Sequence, residues 1–292
     1  MNIARAVAEL GVRPRAVAIG TFDGVHLGHA AVVRAAVDAV GSSGLVPTVV
    51  TFHPHPRTVL GNRVELLATL ERRLELLADA GVEDVLVVGF SPEIAGLEPA
   101  EFAQQYLLGI GAQGVVAGTG FRFGKQRAGD LELLRELGLD ARQVPLVEGV
   151  SSTRIRQLAH AGQIEGAAQL LGRPLEVEGT VVTGDQRGGT LGFPTANLAA
   201  DPEVLVPGFG IYAGAAGDRR AAISIGVNPH YGGTERRIEA YLLDWSGDLY
   251  GERIVLELWR RLRDERVFGS EAELVEQIAR DVEQTRSATS PI

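Results

Sequence analysis

The chain has 292 residues, 45% of them hydrophobic and 22% charged, with a formal net charge of −9. That balance can bury the core of one large or two ordinary domains. The acidic charge argues against a general nucleic-acid face but leaves room for a locally positive nucleotide pocket. There are no cysteines, which excludes disulfides, thiolate metal sites and cysteine nucleophiles. The N-terminal MNIARAVAELGVRPR lacks the apolar core of a signal peptide, and no window approaches about 18 uninterrupted apolar residues. A soluble, cytoplasmic protein with no membrane or nucleic-acid partner is expected.

The first half alternates two patterns. Apolar, β-rich runs at residues 16–19, 46–52, 85–90, 115–117 and 143–147 read as strands, and the segments 29–40, 70–80, 100–108 and 130–137 read as helices. This alternation predicts a parallel α/β sheet covered on both faces. Ligands of such sheets bind at the carboxyl ends of the strands. The loops starting at Gly20, His53 and Gly118 are therefore expected to converge.

The first of these loops is Gly20-Thr21-Phe22-Asp23-Gly24-Val25-His26-Leu27-Gly28-His29. It places two imidazoles at a strand-to-helix turn, beside helix N–H groups that favour an anion. Phosphate chemistry is the leading reading, because such groups stabilise the charge that builds up during transfer. Zinc is the alternative, since His53 and His55 supply a second pair, but no carboxylate stands at a zinc-enzyme spacing. The second loop, Thr51-Phe52-His53-Pro54-His55-Pro56, is stiffened by two prolines. The third, residues 118–125, combines glycines, Phe121, Phe123 and two cations, and suits a pocket wall for an aromatic ligand and its phosphate.

Ser151-Ser152-Thr153-Arg154-Ile155-Arg156 opens a helix through His160, and a second helix is expected over 164–171. Hydroxyls, helix N–H groups and Arg156 together suit the outer phosphates of a triphosphate. After Gly172-Arg173-Pro174 the character changes to short β-like runs at 177–183, 211–216, 221–227, 238–243 and 253–259, separated by Gly, Pro and Asp turns. These predict an antiparallel sheet or barrel. An amphipathic helix over 271–285 ends the chain, and the domain boundary is placed between 172 and 173. The glycine-rich stretch 184–192 leads into Pro194-Thr195-Ala196-Asn197, whose Thr and Asn oxygens suit Mg²⁺. Read from its residues alone, that stretch is as readily a barrel hairpin as a phosphate cradle. Glu239 is on the same terms a strand carboxylate facing solvent.

The pairing of HxGH with SSTxIR is the signature of the HxGH nucleotidyltransferases. The longer set GTFDGVHLGH, FHPHP, GFRFGKQRAGD and SSTRIRQLAHAGQIEGAAQLLGRP resembles the bacterial bifunctional riboflavin kinase/FMN adenylyltransferases, the FAD synthetases, over essentially the whole chain. The resemblance implies a Rossmann-like first domain that transfers AMP from ATP to FMN. It implies a second, β-barrel domain that phosphorylates riboflavin with ATP and Mg²⁺. His26 and His29 would contact ATP phosphates in the transition state. Gly20, Phe22, Asp23, Gly28, Ser152, Thr153 and Arg156 would bind ATP in the first reaction, and Gly184, Gly192, Thr195 and Asn197 in the second. Thr195 and Asn197 would also hold the metal. His53, Pro54, Phe121, Phe123, Arg263 and Phe268 would border flavin, and Glu239 would be the general base.

The sequence departs from the family in three places. Gly120 stands where Asn or Asp is usual, Gly188-Gly189 where Gly-Arg is usual, and His230-Tyr231 where Thr and Phe are usual. These departures motivate two alternatives, a kinase alone and a flavin-binding protein with degraded catalysis. A weak homo-oligomer is left open by the sequence.

Overall fold

Six strands form a parallel sheet: β1 (Asn2–Ala4), β2 (Arg15–Ile19), β3 (Val46–His53), β4 (Asp84–Gly89), β5 (Ala112–Gly118) and β6 (Asp140–Val144), in the order β1-β4-β3-β2-β5-β6. The computed structural model describes residues 1–39, 44–184, 187–227 and 236–292. Its packing divides into two units, Met1–Ser151 and Ser152–Ile292.

In the first unit the helices are α1 (Val7–Leu10), α2 (Leu27–Asp38), α3 (Pro56–Val59), α4 (Leu70–Asp79), α5 (Pro92–Ala95), α6 (Pro99–Tyr106) and α7 (Leu131–Glu136). Alternate strand residues feed two cores, as a sheet covered on both faces requires. Ala18, Val49, Val85, Val87 and Val116 join Val33 of α2 and Leu77 of α4. Val17, Ile19, Val50, Leu86 and Val115 join Phe102 of α6 and Leu134 of α7. The chain runs outward from β2 through β3 to β4, then returns to β5 on the other side of β2. That reversal is the topological switch point at which doubly wound sheets bind ligands.

The amino ends of the strands are tied by Arg15, which is fully buried. Its Nη2 donates to Asp84 Oδ2 and to the Leu10 carbonyl, both at 3.0 Å. Its Nη1 donates to the carbonyls of Gly11 at 2.9 Å and of Ile110.

The second unit opens with α8 (Ser152–His160) and α9 (Ile164–Leu171), followed by β7 (Leu175–Val182), α10 (Arg187–Thr190), β8 (Ala196–Ala199), β9 (Gly210–Ala216), β10 (Arg219–Val227), β11 (Arg236–Leu242), β12 (Arg253–Arg263) and α11 (Glu271–Ser287). The six strands close into an antiparallel barrel in the order β10-β11-β8-β7-β12-β9. The change of sequence character lies at 172/173, whereas packing divides the chain at 151/152. Helix α9 packs on β7 and β12, and α8 packs on α9, so both helices cluster with the barrel.

Replacing Asp84 with Ala leaves the buried Arg15 guanidinium without its counter-charge. Urea denaturation of the first unit is expected to show a loss of about 3–5 kcal/mol.

Candidate active sites

The loop after β2 is held in a conformation that few sequences can take. Phe22, Gly24 and Val25 have φ of 49°, 75° and 39°, the left-handed region that costs non-glycine residues energy. Gly24 also lies so close to Leu67 that an added Cβ would meet the Leu67 Cβ at 2.6 Å. Two contacts from elsewhere hold this shape. Asp23, 2% exposed, accepts from the Leu67 N–H through Oδ1 at 2.8 Å. Phe22, 1% exposed, packs in the core with its ring edge-on to His29 at 5.5 Å between centroids. Both residues support the loop from the protein side.

His26 caps α2: its Nδ1 accepts from the His29 backbone N–H at 3.3 Å. Nδ1 therefore carries a lone pair, and a neutral His26 holds its proton on Nε2. The two rings stack at 3.6 Å between centroids, 14° from parallel. An added methyl at Gly28 would press on the His26 ring. Burial lowers the pKa of His29 well below that of a free imidazole, and the charges of His26 and Arg73 lower it further. At neutral pH His29 is uncharged. Its Nδ1 is buried without a hydrogen-bond partner.

The other two loops leave the neighbouring strands β3 and β5, so the carboxyl ends of three adjacent strands come together. His53 ends β3 half-buried and Pro54 is exposed. His55 caps α3 by accepting from the Arg57 N–H at 3.1 Å. Among the described residues no group of three or more His, Asp or Glu side chains could hold a metal. In the loop after β5, Phe123 is 6% exposed and packs on Phe102 at 5.7 Å, while Phe121 stacks on Phe123 at 5.6 Å and is half-buried. Phe121 is the aromatic of this pair with a free surface. Gly120 has φ 76° and no atom within 4 Å of where a Cβ would stand.

In the second unit, Ser152 begins α8, with Thr153 exposed and Arg156 half-buried one turn on. Strand register explains the barrel site. Glu239 of β11 pairs with Asn197 of β8 on one side and with Ser224 of β10 on the other. Residues directly opposite in an antiparallel ladder share a face. Glu239, Ser224 and Tyr241 line one cavity of about 340 Å³, together with Thr195, Arg263, Glu265 and Phe268. Glu239 thus faces this cavity, which corrects the reading of it as a solvent-facing strand carboxylate. Gly184 packs on Asn197 of β8. An added methyl at Gly184 would overlap the Asn197 amide, and one at Gly188 would overlap the Phe193 carbonyl. Gly192 takes φ 87° with open space beside it, and Gly189 also faces open space. His230 lies outside the described residues.

Arg263 does not project freely into the cavity. Its Nη2 donates to Asp281 Oδ2 at 2.8 Å and its Nε to both carboxylate oxygens at 3.1 Å. Its guanidinium lies over the Phe268 ring at 5.7 Å. Gln277 links the same helix to the loop, donating to Asp281 at 2.9 Å and accepting from Arg266 at 2.8 Å.

Comparison with known proteins also divides the chain in two, with residues 152–156 falling in the first match although they pack with the second unit. A family model described as FAD synthetase matches residues 11–156, and one described as riboflavin kinase matches residues 171–289. The bifunctional riboflavin kinase/FMN adenylyltransferase of Listeria monocytogenes is 36% identical over 288 residues, covering 94% of this chain and 92% of its own. That of Bacillus subtilis is 37% identical over 287 residues, covering 91% and 90%. The chain belongs to the bifunctional riboflavin kinase/FMN adenylyltransferase family. A crystal structure described as a macrolide-efflux protein from Streptococcus pneumoniae superposes with TM-score 0.87 at 32% identity, covering 98% of this chain and 99% of that one. No helix among the described residues is long and apolar enough to cross a membrane.

Within this bifunctional framework, motif reading overlooks several residues that build the sites. Arg73 of α4 donates from Nη1 to the Thr21 carbonyl at 2.6 Å and from Nη2 to the Phe52 carbonyl at 3.2 Å. Asp281, Ser224 and Glu265 shape the barrel cavity. Partial burial raises the Glu265 pKa, and the Glu239 charge adds to that rise.

Asp281→Ala strips Arg263 of a carboxylate that is 5% exposed. Chemical denaturation of the full chain is expected to show a loss of about 3 kcal/mol, with faster amide exchange along α11.

Proposed function

We propose that this enzyme makes FAD in two ATP-dependent steps, phosphorylating riboflavin to FMN at the barrel cavity and adenylylating FMN at the loops of the parallel sheet. The observation that supports this reading is where two of the motifs stand. HxGH lies at the switch point of a doubly wound sheet, and PTAN is registered beside Glu239 on a cavity wall.

In the kinase step the riboflavin 5′-hydroxyl oxygen bonds to the γ-phosphorus of ATP as the bond to ADP breaks. Glu239 takes the hydroxyl proton as general base. Thr195 and Asn197 offer neutral oxygens beside a carboxylate, a donor set that fits Mg²⁺. The ion would supply charge neutralisation at the phosphates. Gly184, Gly188 and Gly192 let the backbone approach those phosphates. Phe268, held under Arg263, borders the flavin.

In the adenylyl step a phosphate oxygen of FMN bonds to the α-phosphorus of ATP and pyrophosphate leaves. No covalent enzyme intermediate is needed, so positioning and electrostatics carry the rate. His26, with its proton on Nε2, and the neutral His29 act as hydrogen-bond donors to the phosphates, assisted by the first N–H groups of α2. Gly20 and Gly28 keep this approach open, and Phe22 and Asp23 act by fixing the loop. Phe121, His53 and Pro54 border the FMN ring. Ser152, Thr153 and Arg156 are assigned to phosphate on their motif alone.

One observation favours a second reading, a kinase without the adenylyl step: Gly120 offers no side chain at a position where the family places a polar one. The left-handed backbone and open space at Gly120 suit Asn. Gly120→Asn is expected to leave stability within about 1 kcal/mol of the parent and to lower KM in FAD formation. An unchanged KM would assign the residue no part in binding.

The two steps separate by substitution. Chromatography of riboflavin, FMN and FAD after incubation with ATP and Mg²⁺ is the measurement. Glu239→Gln is expected to stop FMN formation by at least about a hundredfold and to spare FMN-to-FAD conversion. His29→Ala is expected to do the reverse. Loss of both activities in either folded variant would rule out two independent sites.

A further inference from the structure

Arg73 is 6% exposed and sits beneath the two histidine-bearing loops. It bonds one carbonyl from each: Thr21, just past β2, and Phe52, at the end of β3. Thr51 reinforces the first of these, its hydroxyl donating to the same Thr21 carbonyl at 3.1 Å. Main-chain carbonyls are neutral acceptors. A buried glutamine or a water would satisfy them without the cost of desolvating a cation. That cost is visible, since burial lowers the Arg73 pKa to about 10, with the Asp23 charge opposing the shift. Arg73 nonetheless stays protonated at neutral pH. Its buried Nε–H has no partner. The charge acts on His29 of the same loop.

We infer that Arg73 is a positioning residue for adenylyl transfer, setting the HxGH loop against the FHPHP loop and standing as a fixed cation behind His29. The clamp holds the two loops at one separation, so a triphosphate and its acceptor meet a prepared site. The cation disfavours a proton on His29, which keeps that imidazole neutral and in one role. The groups acting on His29 are His26 at the start of α2 and Arg73 of α4, with Asp23 on the loop acting on Arg73. Burial and the Arg73 charge push in one direction, so removing Arg73 makes His29 easier to protonate.

The inference rests on reading the first unit as the adenylyl-transfer site, and the test separates the two. Full-length enzyme, Arg73→Gln and Arg73→Lys are compared for riboflavin phosphorylation, for FMN adenylylation as a function of pH, and for the titration of the His29 imidazole by NMR. Arg73→Gln is expected to cut kcat for FAD formation about tenfold or more while riboflavin phosphorylation stays within about twofold. Its acid limb for FAD formation and its His29 titration both move to higher pH. Arg73→Lys keeps the charge but not the two-pronged clamp. It is expected to keep the acid limb near the parent position with a smaller fall in kcat. Coincident His29 titrations in parent and Arg73→Gln, or parental FAD formation in the folded variant, would overturn the inference. If Arg73→Gln fails to fold, Arg73→Lys decides: a lowered kcat with an unmoved acid limb supports the inference, and parental kcat overturns it. A parent enzyme that forms no FAD would instead defeat the functional reading, while the NMR titration still reports on Arg73.

Discussion

The first unit depends on hydrogen bonds to one carbonyl. Where the ladders from β2 to β3 and β5 stop, the chain leaves the sheet and its polar groups must find new partners. The Thr21 carbonyl finds two, the Thr51 hydroxyl and the Arg73 guanidinium. From that anchor the backbone enters a left-handed stretch at Phe22, Gly24 and Val25, which aims His26 at the start of α2 and stacks it on His29. The anchor adds to the Val25 N–H bond to the Phe22 carbonyl at 3.1 Å and to the Asp23 bond to Leu67 in holding this disfavoured conformation. Strain of this kind persists only where surrounding contacts over-determine it.

The barrel unit reaches its site by a different route. No loop has to be strained, because ladder register does the placing. Pairing Glu239 with Asn197 and Ser224 fixes three polar side chains on one face. A slip of one residue would turn all of them to the other side. The rest of the lining is held from α11, where Asp281 ion-pairs with Arg263 and Gln277 accepts a hydrogen bond from Arg266. One site is therefore specified by loops at the end of a sheet and the other by a strand face.

Much of this was legible in the sequence, and the gaps have physical causes. The long strands and helices follow their periodicity to within a few residues, as α9 (Ile164–Leu171) does over 164–171. Strands β1 and β8 have three and four residues and no periodicity to display, and only their partners define them. The motifs point to candidate sites because they cluster reactive side chains at turns with unusual composition. Supporting groups leave no such mark. Arg72 and Arg73 are adjacent in one amphipathic helix, yet Arg72 pairs with Glu75 near the surface at 2.7 Å and Arg73 is buried. Only the tertiary fold tells the two apart. Phe22 and Asp23 stand within the motif, and only the fold shows that both are buried. Asp281 is one carboxylate among many in a terminal helix until the fold brings Arg263 to it.

The closure of the barrel has a consequence for how the protein behaves in a crowded solution. A closed ring of strands presents no unpaired ladder on which another chain could grow. Among the described residues, free edges belong only to β1 and β6. The first is three residues long, too short to template a partner. The second carries an exposed Asp140–Arg142 ion pair, 2.5 Å between charged atoms, and charge on an edge strand repels the flat stacking that seeds aggregates. A chain that must fold two sheets of opposite kind thus leaves little for misassembly to grip.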